Sequence, residues 1–202
     1  MAELVTSGHG EVERTADQAG VMLQYASRSK ERAHAVHGLT KRTGTVESIV
    51  DRDGVVVRDR KLFVHDVWEG KRRIGIEATQ SYHLLVTDVT VLNDLLGDLI
   101  GTEPAYLHGP NWDLADRSAA YREAQREAVA DARTSAQGYA DALGARLGQL
   151  LRVDDSSPGR MRGGASSMSM SRRSTPDIAE LSLEPEQVTV PAMCSLTWEL
   201  LV

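Results

Sequence analysis

The sequence predicts an α+β fold: an antiparallel or mixed sheet with helices packed on one face, one of them long and alanine-rich. Three observations predict it. Runs of alternating apolar and polar residues, the period-two signature of half-buried strands, occur at both ends of the chain and through its middle. Between them stand segments with apolar residues at helical spacing, and one carries alanine at every fourth position from Ala120 to Ala140. Aromatic residues make up only 4% of the chain, so the core must come from Val, Leu, Ile and Ala. That palette suits a Val-rich sheet beneath Ala-rich helices.

Residues 3–26 read as two strands, Leu4-Val5-Thr6 onward and Val21 to Tyr25, with Gly8 and Gly10 at a bulge or bend. Ser27 or Ser29 is placed to cap a helix from Lys30, whose apolar positions continue to Val50. Gly38 and Gly44 weaken its middle. Asp53-Gly54 marks a turn. Val55 to Trp68 and Ile74 to Val86 then form a long hairpin, turned at Glu69-Gly70-Lys71. Asp88 caps a short helix that ends at Gly101, and Ala105-Tyr106-Leu107 adds a strand. The longest helix spans about 115–147, and its alanine ridge drifts by about 40° per four-residue step. Leu150 to Val153 resumes as strand. Residues 154–178 shift to Ser, Gly, Arg and Met and read as a flexible loop. An alternating strand, Val188-Thr189-Val190 and Met193 to Leu201, closes the chain.

With 202 residues, 41% hydrophobic and 26% charged, the chain fits a single domain over 1–202. Its net charge of −6 lacks the basic surplus of a nucleic-acid binder, so no nucleic-acid partner is expected. The single cysteine, Cys194, rules out an internal disulfide and a cysteine zinc cluster. Met1 to Val5 lacks the basic and apolar regions of a secretion signal, and no run is long enough for a membrane span. A cytoplasmic location without membrane span is the expectation.

Four features resemble the SIMPL-domain family, a widespread bacterial group catalogued as a domain of unknown function. They are the opening Val5-Thr6-Ser7-Gly8-His9-Gly10-Glu11 with the strand to Tyr25, and the helix from Asp88 to Gly101. The third is the Ala-rich helix ending Ala140-Asp141-Ala142-Leu143-Gly144-Ala145-Arg146-Leu147-Gly148 before Leu150-Leu151-Arg152-Val153. The fourth is the Ser/Met/Arg-rich loop followed by Val188-Thr189-Val190 and Thr197-Trp198-Glu199-Leu200. Thr15-Ala16-Asp17 replaces the family's common Pro-Asp, and the secretion signal of many members is missing. The resemblance implies a non-enzymatic protein that forms homo-oligomers, sometimes linked to stress responses or kinase-associated signalling.

Candidate chemistry is sparse. His34 and His37 stand i, i+3 on a predicted helix but lack a third ligand at a fixed local distance, so a solvated face is the plainer reading. His65, His83 and His108 fall in strands. Asp51-Arg52-Asp53-Gly54 has its glycine too early for a calcium loop, and Gly8-His9-Gly10 lacks the rest of a dinucleotide fingerprint. Cys194 reads as a small buried apolar residue without a partner base. No cofactor, metal or catalytic group is therefore expected. Trp198 and Leu200, on what reads as an accessible edge strand, are the candidate interface, and a homo-oligomer or another protein the expected partner. The alternative is a monomeric protein- or peptide-binding module regulated through the basic Ser-rich loop.

Arg160, Arg162, Arg172 and Arg173 make that loop locally basic. A solvated tether explains it most simply, but Arg172-Arg173-Ser174-Thr175 also suits a basophilic kinase, whose phosphate would cancel the local charge. Mass spectrometry of native protein decides: phosphate on Ser174 or Thr175 supports regulation there, and unmodified peptides leave the tether.

Overall fold

In the computed structural model, which describes residues 2–155 and 183–201, strands β1 (Ala2–Thr15) and β2 (Gln18–Ser29) are separated by two residues yet enter different sheets. Thr15-Ala16-Asp17-Gln18 has neither the glycine nor the Asn-Gly or Asp-Gly pair that closes a two-residue hairpin. Instead the Asp17 N–H donates to the Asp113 carbonyl at 3.2 Å, and its carboxylate accepts from the Ala115 N–H at 2.7 Å. The α+β class holds, but the single predicted sheet is two, both antiparallel, in two compact units.

The first unit contains β1, α4 (Ser118–Ala142), β6 (Arg146–Asp155) and β7 (Gln187–Leu201). Its sheet runs β1-β7-β6, with the last strand in the centre. The alternation of β7 buries Val188, Val190, Ala192, Cys194, Leu196 and Trp198. Ala120, Ala124, Ala128, Ala132, Ala136 and Ala140 are all buried on α4, so the winding ridge is the packing surface. It meets β1 in step. Thr6 Oγ1 donates to the Ala132 carbonyl at 2.9 Å. A Cβ on Gly8 would lie 1.9 Å from the Ala128 oxygen, and one on Gly10 2.1 Å from the Ala124 oxygen. Two strand residues advance about 6.7 Å and four helical residues about 6 Å, so the two repeats stay nearly matched over this stretch.

The helix ends earlier than the sequence suggests. Gly144 takes φ of 67°, and the Ala145 N–H returns to the Ala140 carbonyl at 2.9 Å. That is the glycine-terminated C-cap, and it frees Leu147 to join β6. Asp154 and Asp155 also belong to β6 and not to the predicted loop; the remainder of the loop from residue 156 lies outside the described residues.

The second unit holds residues 16–115, and 183–186 join it again later in the chain. Its sheet runs β3-β4-β2-β5, where β3 is Val55–Glu69, β4 Arg72–Val86 and β5 Tyr106–Asp113. The predicted single helix to Val50 is two, α1 (Arg32–Thr43) and α2 (Val46–Val50), divided around Gly44. Ser27 and Ser29 lie in β2 and neither caps α1: its N-cap is Glu31, with no side-chain cap bond. Asp88 does cap as read, accepting from the Thr90 N–H at 2.9 Å at a 3-10 turn that leads into α3 (Leu92–Gly101). The core joins Leu23, Tyr25, Ala78, Tyr82 and Val86 of the sheet to Ala35, Leu39, Val46, Leu95 and Leu99 of the helices.

Gly8→Ala and Gly10→Ala are expected to destabilise the protein by at least the about 1–3 kcal/mol typical of overpacking, because the new methyl meets backbone. Gly138→Ala, on the same α4 with nothing within 4 Å of its Cβ, should instead stabilise by about 0.5–1 kcal/mol. Urea unfolding of the three variants measures both signs.

Candidate functional site

The densest polar cluster in the second unit lies where α2 meets β3 and β4. Arg60 grips the Glu47 carboxylate with two nitrogens, Nε at 3.2 Å and Nη2 at 2.7 Å. The Tyr82 hydroxyl donates to Glu47 Oε1 at 3.1 Å and accepts from Gln80 Nε2 at 2.8 Å. The Arg60 guanidinium stands 5.8 Å from the Tyr82 ring centroid, within cation–π range, and Tyr25 meets that ring edge-on at 6.2 Å. Burial, and then the Glu47 charge, push the Tyr82 phenol up to about 12. A phenol held neutral so far above physiological pH is a fixed donor. The arrangement clamps α2 to the sheet.

A second feature is the free side of β3. Among the described residues this strand pairs with β4 alone, and Val56 (43% exposed), Leu62 (59%), Phe63 (57%) and Trp68 (58%) display large apolar side chains along it. Around them, His83 Nδ1 lies 2.9 Å from Asp59 Oδ2, Lys61 Nζ 3.6 Å from the same oxygen, and His65 Nε2 3.7 Å from Glu77 Oε1. An open depression of about 510 Å³ beside Phe63 is lined by Gln24, Val64, His65, Glu77 and Thr79. Leu62 pairs with Gln80 and Phe63 with Thr79, so the two lie on opposite faces of the sheet at this edge, and with the exposed backbone edge they are the ingredients of a surface that binds another polypeptide.

The residues singled out from sequence are scattered. Trp198 is only 8% exposed, and its Nε1 donates to Thr6 Oγ1 at 3.2 Å. Leu200 is half-buried on the same strand. Because β7 is the central strand, paired to β1 on one side and β6 on the other, the edge that was to expose these two residues is already occupied. Cys194 is buried, and burial pushes its thiol up. His34 and His37 are exposed on α1, with His34 Nδ1 3.4 Å from Glu31. His65 and His83 share the β3–β4 surface, while His108 stacks on Tyr106 of β5 at 6.1 Å. Asp53 and Gly54 form the turn into β3, where Gly54 accepts from the Thr87 N–H at 2.8 Å. Among the described residues, no three His, Cys, Asp or Glu side chains are grouped to hold a metal, and no helix is long and apolar enough to cross a membrane. Ser174 and Thr175 lie outside the described residues.

What sequence reading missed was Leu62 and Phe63. The signal was present: Leu62-Phe63-Val64 breaks the alternation of β3, so one of its apolar residues must face away from the core.

The Glu47 clamp carries a prediction. Because the Tyr82 pKa is raised in the folded state, its contribution to stability is complete below the unfolded tyrosine value of about 10 and is lost as pH rises toward the folded value. Spectrophotometric titration of the phenolates should show one tyrosine ionising near 12. In Glu47→Gln that transition should move down, because the carboxylate charge is gone.

The chain was also compared with known proteins. No curated protein matches it. The family model SIMPL, described as a protein of unknown function (DUF541), matches residues 4–198, which takes in most of β1, most of β7 and every described element between them. By this match the chain belongs to the SIMPL family.

Proposed function

We propose that this SIMPL protein works by associating with other polypeptide chains and not by catalysis: a cytoplasmic, homo-oligomeric assembly or scaffold protein linked to stress response. The observation that supports this most directly is the exposure of Val56, Leu62, Phe63 and Trp68 along β3, an edge strand among the described residues. A monomer in water would leave these side chains solvated, and strand edges of this kind invite pairing. The homo-oligomer that the family resemblance implies points the same way.

The second reading is a monomeric module that takes an extended protein segment or peptide onto the same edge, regulated through the basic Ser-rich loop. The unpaired backbone of β3 serves a foreign strand as well as a second copy.

Size-exclusion chromatography with light scattering separates the two, applied to the full chain and to a deletion of residues 156–175. The expected result for the full chain is a discrete species at a multiple of 22.0 kDa. A monomer at all concentrations would sink the assembly reading in favour of the peptide-binding one. A deletion variant with a different number of protomers from the full chain would tie the Ser-rich segment to assembly.

A further inference from the structure

We propose that two copies of this chain pair their β3 strands antiparallel about a two-fold axis at Leu62, joining two four-stranded sheets into one continuous sheet. The proposal rests on the assembly reading above and names its interface.

The choice of β3 follows from the state of the sheet edges. The outward N–H groups of His9 and Glu11 on β1 are taken by Asp131 at 3.0 Å and Glu127 at 3.2 Å. Strand β5 has 8 residues and includes Pro110, which has no N–H to offer. Strand β6 shifts register against β7 twice, on either side of Leu150, and such bulges turn an edge away from pairing. Strand β3 has 15 residues; its two register shifts, at Val57/Asp59 and Val67/Trp68, lie towards its ends and leave an unbroken run from Asp59 to Val67 in register with β4.

The register follows from symmetry and charge. A two-fold axis normal to a sheet leaves every side chain on its own face, so facing residues must share a face, and one residue must oppose its own copy. With Leu62 on the axis, Lys61 faces Phe63, Arg60 faces Val64, and Asp59 faces His65. The apolar centre covers its own copy, each ammonium lies beside a ring, and no like charges meet. Moving the axis to Arg60 or Lys61 sets that cation against its copy. An axis at Val64 brings Asp59 to Glu69. An axis at Phe63 places Lys61 beside His65 and opposes Arg60, already held by Glu47, to Asp66, already held by Arg73 at 3.2 Å. Of the axes from Arg60 to Val64, only that at Leu62 sets no like charges face to face while leaving Arg60 with Glu47.

Two variants of the full chain test this. Leu62→Asp puts two carboxylates face to face on the axis. Leu62 is 59% exposed, so the substitution leaves the core intact, which circular dichroism verifies. Sedimentation velocity should show the association constant falling at least about tenfold. Leu62→Cys in a Cys194→Ser background should form an intermolecular disulfide under mild oxidation, since facing Cα atoms in an antiparallel pair lie about 4.5–5.5 Å apart, within disulfide range. Phe63→Cys in the same background should not, because its copy is displaced by two residues along the strand. An oligomer indifferent to Leu62→Asp overturns the interface and leaves the assembly reading standing. Cross-linking at Phe63 in place of Leu62 overturns the register. A wild-type monomer at every concentration overturns both.

Discussion

The first unit depends on one close approach: α4 lies against β1 with nothing between them but alanine methyls and the hydrogens of Gly8 and Gly10. Helix and strand normally hold each other off by the bulk of their side chains. Removing that bulk on both partners brings main chain to main chain, so that the Thr6 hydroxyl reaches the Ala132 carbonyl. The helix also carries Glu123, Glu127 and Asp131 one turn apart, and these meet Arg14, the Glu11 N–H and the His9 N–H in the same order. The small face sets the distance, and the acidic face then covers amides of β1 that no described strand pairs. Position on the helix and position on the strand therefore specify each other, residue by residue.

That logic was legible in part. A four-residue alanine period is a direct readout of helix geometry, and it identified the packing ridge without any structure. Gly8 and Gly10 were noticed, but as a bend; nothing local says that their missing side chains make room for a helix more than a hundred residues later in the sequence. The same limit hid the role of β7. Alternation tells which face of a strand is buried and is silent about its neighbours, so Trp198 could be placed on a strand but not in the middle of a sheet. Strands β1 and β2 were legible as two strands but not as members of different sheets; their separation is written only in the absence of a turn sequence between them.

The exposed apolar side chains of β3 illustrate a different limit. An extended run with one apolar residue too many can mean a strand buried on both faces or one with an uncovered side. Sequence does not choose between these, because the choice depends on whether another strand or helix arrives. Here it is the edge position of β3 that leaves Leu62 and Phe63 uncovered. The Glu47–Arg60–Tyr82 cluster was invisible for a related reason: its members come from α2, β3 and β4, and no spacing links them. Its rigidity matters to that edge even so, since Arg60 fixes one end of the strand segment whose free side is exposed.

The central place of β7 bears on how the chain is made. Residues 16–115 are contiguous and contain almost all of the second unit, so that portion can fold as soon as it leaves the ribosome. The first unit cannot. Its opening strand is synthesised first and β6 much later, and neither has a sheet partner until Gln187–Leu201 has emerged. Until then β1 must wait, held at most by α4. Any stall or premature stop before β7 would release a chain with one unit finished and the other reduced to two orphan strands, a species that exposes the very edges the complete fold conceals. In this protein the fifteen residues of β7 act as the keystone of the first sheet.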